Sequence, residues 1–89
     1  MSAGKHREIW HEHRFERELA RIEPNTRRAD EFLEGAIEIL ATNPFYGTQL
    51  DPGSAVWFLP IADIPSLPKL WLYYSFDDDN VILLSIEKA

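Results

Sequence analysis

The histidines near the amino terminus are the residues best suited by type to chemistry. His11 and His13 flank Glu12, and alternate residues of a strand point to the same side, so the two imidazoles could converge on a metal ion. Zinc sites use three or four protein ligands. The chain has no cysteine, and His6 falls in a polar segment that we expect to be loose. We therefore predict surface histidines and no metal site.

Two acidic clusters also contain residue types found in metal and catalytic sites. Residues 77–80 read Asp-Asp-Asp-Asn, but the glycine and terminal glutamate that define an EF-hand calcium loop are absent. Glu34 and Glu38 are one helical turn apart and are expected to face water. The sequence contains neither a Gly-rich phosphate loop nor a Gly-x-Ser-x-Gly nucleophile motif. We therefore expect a hairpin turn, a solvated helix face and no cofactor.

Charge is divided unevenly along the chain, whose net charge is −6. Residues 1–28 carry seven lysines and arginines against five acidic residues, whereas residues 29–89 carry only Lys69 and Lys88 against ten. Nucleic-acid binding depends on basic residues that neutralise phosphates, so we expect no direct binding of nucleic acid. An acidic surface suits a basic protein partner or serves solubility.

The stretch from Leu70 to Ile86 dominates the predicted fold. Two apolar runs rich in aromatic and β-branched residues flank residues 77–80, a pattern that predicts a β-hairpin with its turn there. Neither run has a polar face, so the hairpin is expected to be central in a sheet. Trp71 and Tyr73 share one face of the first strand. We interpret them as core residues or, if that face is uncovered, as a partner interface.

The segment before the hairpin predicts a strand and a first helix. Residues 8–13 alternate as in a short strand, with a single helix over residues 5–22 as the alternative. One face of the expected helix is formed by Phe15, Leu19 and Ile22.

Three arginines, Arg14, Arg17 and Arg21, form a second stripe on that helix. The stripe is typical of a solvated face, because Glu18 is at pairing distance from Arg14 and Arg21. The alternative is a stripe that binds an anion or a protein partner.

A second amphipathic helix is the clearest helical pattern in the chain. Thr26 is expected to cap it, and Asn43-Pro44 is expected to end it. Its apolar positions recur with helical spacing. They are Ala29, Phe32, Leu33, Ala36, Ile37 and Leu40.

The remaining segments complete a single domain over residues 1–89, with residues 1–7 as a loose tail. Residues 45–54 read as a loop, residues 55–61 as a strand with Pro60 at an edge or near its end, and residues 63–68 as a connecting loop. No apolar run approaches the ~20 residues that span a bilayer. Together with the absence of cysteine, this favours a cytoplasmic protein that does not bind membranes.

Three segments resemble the RelE/ParE superfamily of toxins from type II toxin–antitoxin modules. They are Phe15-Glu-Arg-Glu-Leu-Ala-Arg-Ile22, Leu40-Ala-Thr-Asn-Pro-Phe-Tyr-Gly47, and the run from Leu72 to Ile86. In that family the first helix has a Phe-x-x-x-Leu pattern and the second ends in Leu-x-x-Asn-Pro-x-x-Gly. The last two strands of the family read as a tyrosine-containing run, an acidic turn and a Val-hydrophobic run.

The resemblance implies an α+β fold in which a two-helix hairpin packs on a four-stranded, mainly antiparallel sheet, in the order β-α-α-β-β-β. It also implies a cognate antitoxin that wraps the toxin with a helix and an extended segment. Our candidates for the residues that bind such a partner are those of the arginine stripe and of the aromatic sheet face: Arg14, Arg17, Arg21, Trp71 and Tyr73. The cellular target would be gyrase or the ribosome.

The sequence departs from the mRNA-cleaving members of the superfamily. Those members place basic residues on the sheet, where they stabilise charge at the cleaved phosphate. Here the only basic candidates for catalysis are Lys69 and Lys88, and Trp71 and Tyr73 stand where basic residues are common. We therefore favour a ParE-like, gyrase-type toxin or a degenerate member that only binds protein. A ribosome-dependent mRNA endonuclease and an unrelated small α+β interaction module are the alternatives.

Overall fold

The structure, a computed structural model, describes residues 6–61 and 69–88 and has an α+β architecture. The loop predicted at residues 63–68, residues 1–5 of the predicted tail and the side chain of Phe32 lie outside the described part. The elements are β1 (Glu8–His11), α1 (His13–Ile22), α2 (Thr26–Thr42), a 3-10 turn (Pro44–Tyr46), β2 (Thr48–Gln49), β3 (Trp57–Ile61), β4 (Leu70–Phe76) and β5 (Asn80–Lys88).

The strands form one mixed sheet in the order β1-β5-β4-β3-β2. β1 runs parallel to β5, and the other three neighbouring pairs are antiparallel. The expectation of four strands was wrong, because Thr48 and Gln49 pair with Phe58 and Trp57 and add a fifth strand. A strand of only two residues has too few positions to show an alternating pattern, so the sequence gives no sign of it.

The hairpin of β4 and β5 lies inside the sheet, with β3 and β1 on its two sides, and its predicted turn is confirmed. The Asp77 N–H donates to the Asn80 carbonyl at 2.9 Å. One oxygen of the Asp77 carboxylate accepts from the N–H groups of Asp79 at 2.8 Å and Asn80 at 2.7 Å. These backbone hydrogen bonds lower the pKa of Asp77, and the nearby Arg7 lowers it further. The side chain of the first turn residue therefore stabilises the turn through hydrogen bonds to its backbone.

The core lies between the two helices and one face of the sheet. Helix α1 contributes Phe15, and Leu19 and Ile22 pack against the same core, as the helical period predicts. Helix α2 contributes Leu33 and Leu40. The sheet contributes Leu59, Leu70, Leu72, Tyr74, Val81, Leu83 and Ile86. Because residues from both halves of the chain share this core, the described part forms a single hydrophobic unit.

The end of the first strand and the cap of α2 differ from those predicted. β1 ends at His11 and His13 is already helical, so the predicted strand was two residues too long and the single-helix alternative was wrong. Asn25, not Thr26, caps α2: its side-chain oxygen accepts from the Arg28 N–H at 3.2 Å. Either residue type can cap a helix, so the sequence does not decide between them. The predicted end of α2 is confirmed, since Asn43 follows its last residue.

Arg7, directly before β1, holds the start of that strand in place. Its N–H donates to the carbonyl of Ala41 at 2.8 Å, and its Nε donates to the carbonyl of Asp77 at 2.7 Å. Its guanidinium lies 5.9 Å from the centre of the Phe76 ring. Arg7, which belongs to the segment predicted to be loose, thus joins the start of β1 to α2 and to the hairpin turn.

Tyr74 secures the chain after α2. Its buried hydroxyl donates to the Pro44 carbonyl at 2.6 Å and accepts from the Gly47 N–H at 3.1 Å. Burial raises the pKa of Tyr74, so the hydroxyl keeps its proton at neutral pH. A Cβ atom at residue 47 would collide with this hydroxyl and with the carbonyl of Phe58, so the close approach requires glycine.

Candidate functional site

The histidines do not assemble a metal site. His13 is the first residue of α1, so the strand geometry that would align it with His11 does not apply. Both imidazoles instead lie beside Glu16, with Nδ1 atoms 3.3 Å and 3.6 Å from its carboxylate oxygens. In the described ranges, no group of three or more histidine or acidic side chains could hold a metal ion.

Lys69 and Lys88 are brought to the same end of the sheet. Lys88 pairs with Leu70 across β4 and β5, and Lys69 directly precedes Leu70. Both lysines are exposed. Two ammonium groups in this arrangement can attract an anionic group. The neighbouring Glu87 accepts from the Tyr73 hydroxyl at 2.8 Å.

The arginine stripe of α1 is only partly available to a partner. Arg14 pairs with Glu18 at 3.3 Å, as predicted. The expected pair between Glu18 and Arg21 is absent from the described ion pairs. Glu18 turns towards the sheet, where it accepts from the Ser85 hydroxyl at 2.7 Å and the Ile86 N–H at 3.2 Å. Arg17 and Arg21 are exposed on the outer side of the helix.

Trp71 and Tyr73 lie on the face of the sheet away from the helices. They alternate with Leu70, Leu72 and Tyr74, which are buried in the core, so their side chains project from the opposite face. Within the described residues, no helix covers that face. The described helices therefore leave uncovered the face that carries Trp71 and Tyr73, and a partner interface on it stays a prediction.

Further apolar side chains extend this surface, which we call the open sheet face. The Phe58 ring lies 5.2 Å from the Trp71 ring and 6.4 Å from the Tyr73 ring, measured between centroids. A side chain belongs to the open sheet face if its strand position places it on the side away from the core. The apolar members are Trp10, Phe58, Trp71, Tyr73, Ile82 and Leu84. Trp10 is 58% exposed, and the others are half-buried.

The residues predicted to bind a partner therefore form two surfaces. The arginines belong to the helix layer, whereas Trp71 and Tyr73 belong to the open sheet face on the other side of the sheet. Tyr73 donates to Glu87, and this hydrogen bond raises the pKa of Tyr73, with burial adding to the effect. Tyr73 is thus a protonated, largely apolar contact residue.

A groove between the helices was not anticipated from the sequence. It has a volume of about 250 Å³, and its floor includes Phe15, Leu33 and Leu83. Glu16 and Asp30 contribute carboxylates to its lining. Such a groove depends on the separation of two helices, which periodicity alone does not determine.

Comparisons with known proteins do not indicate a family or a function for this chain. No protein-family model, no curated protein and no solved structure matches the chain. Neither helix of the described part combines the length and apolar character needed to cross a bilayer.

Proposed function

We propose that this chain is a RelE/ParE-like toxin subunit that acts by binding proteins and is neutralised by a cognate antitoxin. The observation that carries the proposal is the open sheet face. It presents Phe58, Trp71 and Tyr73 as one aromatic surface on a sheet supported from behind by the core. Aromatic side chains of this kind supply much of the energy of protein interfaces.

The arrangement of elements is compatible with this proposal. The four longer strands and the two helices follow the order β-α-α-β-β-β, and β2 is a short addition. Three sequence segments that resemble the superfamily fall at α1, at the exit of α2 and across β4 and β5. The Tyr74–Pro44–Gly47 hydrogen bonds give the second of these segments a structural role.

The charge of the open sheet face favours a protein target over RNA. Among all the described strand residues that alternate with core residues, polar ones included, none is Lys or Arg, and the carboxylate of Glu87 lies beside Tyr73. RNA cleavage needs groups that stabilise negative charge at the phosphate, and an acidic, aromatic face offers none. The alternative, a ribosome-dependent endonuclease, would rely on the two predicted catalytic candidates, Lys69 and Lys88, at one end of the sheet.

Inducible expression in bacteria tests this function. Growth would be followed together with pulse-labelled DNA and protein synthesis. We expect arrest in which DNA synthesis fails first, as for a gyrase-type target. The wild-type chain would be compared with W71A/Y73A, which removes the aromatic contacts, and with K69A/K88A as the matched control.

The two variants distinguish a toxin that binds proteins from a ribosome-dependent endonuclease. The proposal expects W71A/Y73A to relieve the arrest and K69A/K88A to preserve it, with both proteins folded by circular dichroism. Early failure of protein synthesis that depends on the lysines would overturn the proposal in favour of the endonuclease. If growth is unaffected, the degenerate form of the proposal requires stable binding to an antitoxin encoded beside the gene, and failure to bind it would reject that form too.

A further inference from the structure

A second aromatic surface lies on the helix side of the sheet, at the end where β4 turns into β5. The rings of Phe45, Trp57 and Phe76 contact one another edge to face, with centroids 4.9 to 5.6 Å apart. Phe45 is 62% exposed and Tyr46 is 60% exposed. We call Phe45, Tyr46, Trp57 and Phe76 the sheet-end patch. None of these residues belongs to the open sheet face.

The exposure of Phe45 is built into the fold. Phe45 lies in the 3-10 turn between Pro44, whose carbonyl accepts from the Tyr74 hydroxyl, and Gly47, whose N–H donates to the same hydroxyl. This turn is therefore pinned on both sides of the exposed ring. A side chain held at the surface in this way loses little conformational freedom when a partner covers it, which favours binding.

The charge around the patch is strongly negative. The strand directions place the start of β1, the connection from β2 to β3 and the hairpin turn at this same end of the sheet. The carboxylates there are Glu8, Asp51, Asp77, Asp78 and Asp79. Arg7 is the one arginine or lysine that the described residues place among them.

Arg7 shows what chemistry this end of the sheet accepts. Its guanidinium lies 5.9 Å from the Phe76 ring centre while its Nε donates to the Asp77 carbonyl. An aromatic face beside an acidic turn attracts a cation through the ring and through the nearby carboxylates. The patch therefore suits additional guanidinium or ammonium groups.

We propose that the sheet-end patch binds a basic, apolar segment of a protein partner. Apolar side chains of that segment cover Phe45 and Trp57, and its arginines or lysines lie against the carboxylates of Asp77, Asp78 and Asp79. A second copy of this chain is a poor occupant because each copy has a net charge of −6. Nucleic acid is repelled for the same reason. The inference stands independently of the toxin assignment.

A binding experiment with a defined probe tests this inference. The probe is a short synthetic peptide of alternating arginine and leucine, and the control peptide has glutamate in place of arginine. Binding to the whole, isotope-labelled protein is followed by amide chemical shifts. We expect the arginine peptide to shift amides at residues 45–47, 57 and 76–79, to weaken as salt rises, and the glutamate peptide to cause no shifts.

Two variants define the contributions of ring and charge. F45A removes an exposed ring without disturbing the core, and we expect it to weaken binding about tenfold or more. D78N/D79N should weaken binding roughly threefold to tenfold, the range for two exposed ion pairs. E31Q/E34Q changes charge equally in the N-terminal half of α2 and should leave the affinity unchanged.

Three results would overturn the inference. The first is equal binding of both peptides, which would make the patch a non-selective apolar surface. The second is the same loss of affinity in E31Q/E34Q as in D78N/D79N, which would reduce the effect to net charge. The third is a set of shifts confined to the open sheet face. Each can occur whether or not expression of the chain arrests growth.

Discussion

At the scale of single residues, Glu18 compensates for a gap in the sheet. β1 pairs with β5 only as far as Leu83, and the chain then turns into α1. The Ile86 N–H of β5 lies beyond that pairing, and the Glu18 carboxylate accepts from it and from the Ser85 hydroxyl. Burial tends to raise the pKa of Glu18, but these hydrogen bonds and Arg14 outweigh it and leave the pKa below its ordinary value of 4.5.

We predict that E18Q loses stability at neutral pH but not in acid. The loss should be about 1 kcal/mol, because the glutamine amide oxygen can still accept a hydrogen bond but carries no charge. Because the pKa of Glu18 is lower in the folded state than in the unfolded one, its contribution is present above pH 4.5 and is lost as the pH falls through the folded value.

Urea unfolding of wild type and E18Q near neutrality and well below pH 4.5 measures this effect, with the exposed residue Glu31, as E31Q, for comparison. An equal difference between wild type and E18Q at both pH values would show that the charge of Glu18 is irrelevant to stability.

The neighbouring tyrosines of β4 provide a second residue-scale prediction. Y74F deprives the partly buried Gly47 N–H of its acceptor and the buried Pro44 carbonyl of its donor. We expect a loss of about 1–3 kcal/mol in the free energy of unfolding. Y73F removes the same atom where its partner, Glu87, is exposed, and should change stability by less than about 0.5 kcal/mol. Thermal unfolding of both variants measures the difference, and similar costs would contradict the assigned roles.

At the scale of elements, local signals explain what the sequence could predict. Two features lie within short segments and could therefore be predicted. They are the helical period of Phe15, Leu19 and Ile22 and the turn at residues 77–80. β2 was not, because Thr48 and Gln49 become a strand only through pairing with β3. The parallel partnership of β1 with β5 joins residues about seventy positions apart, and no local pattern encodes it.

The candidate surfaces were predictable to different degrees. Alternation in β4 placed Trp71 and Tyr73 on one face, but both faces of the hairpin are apolar, so the pattern did not reveal which is covered. Phe45 is a single aromatic residue in a short turn, and its contact with Trp57 depends on how distant strands align. Exposure of this kind can be read only from the fold.

Helix α2 offers a matched pair for an element-scale prediction. Leu33 is 3% exposed in the core, and the adjacent Glu34 faces water. We expect L33A to cost about 2–4 kcal/mol through lost burial and the cavity it leaves. E34A, at the same depth along the helix, should stay within about 0.5 kcal/mol of wild type. Denaturant midpoints of the two variants test this, and a tolerant L33A would mean that α2 packs on the sheet by another face.

At the scale of the whole molecule, the two halves of the chain depend on each other. The positively charged first 28 residues include β1 and α1, which pack on β5 at the other end of the sequence. The radius of gyration is 12.8 Å, close to the ~12 Å expected for one domain of this length. Neither helix has a separate core of its own, because Phe15 and Leu33 share theirs with the sheet.

A shared core predicts a single cooperative unfolding transition. Far-ultraviolet circular dichroism reports mainly on the helices, whereas Trp10, Trp57 and Trp71 report on three different strands. Because removing either layer exposes the same buried side chains, we expect the two signals to change together, with a urea slope of roughly 1–3 kcal/mol per molar.

The substitution I86V extends this prediction. Ile86 is 1% exposed at the interface of the two layers, and losing one methyl group there should cost about 1 kcal/mol. If the core is one unit, the variant lowers the urea midpoint by the same amount for both signals. A fluorescence transition that shifts while the dichroism transition does not would mean that the sheet unfolds separately from the helices. The helices would then not stabilise the sheet that carries the open sheet face.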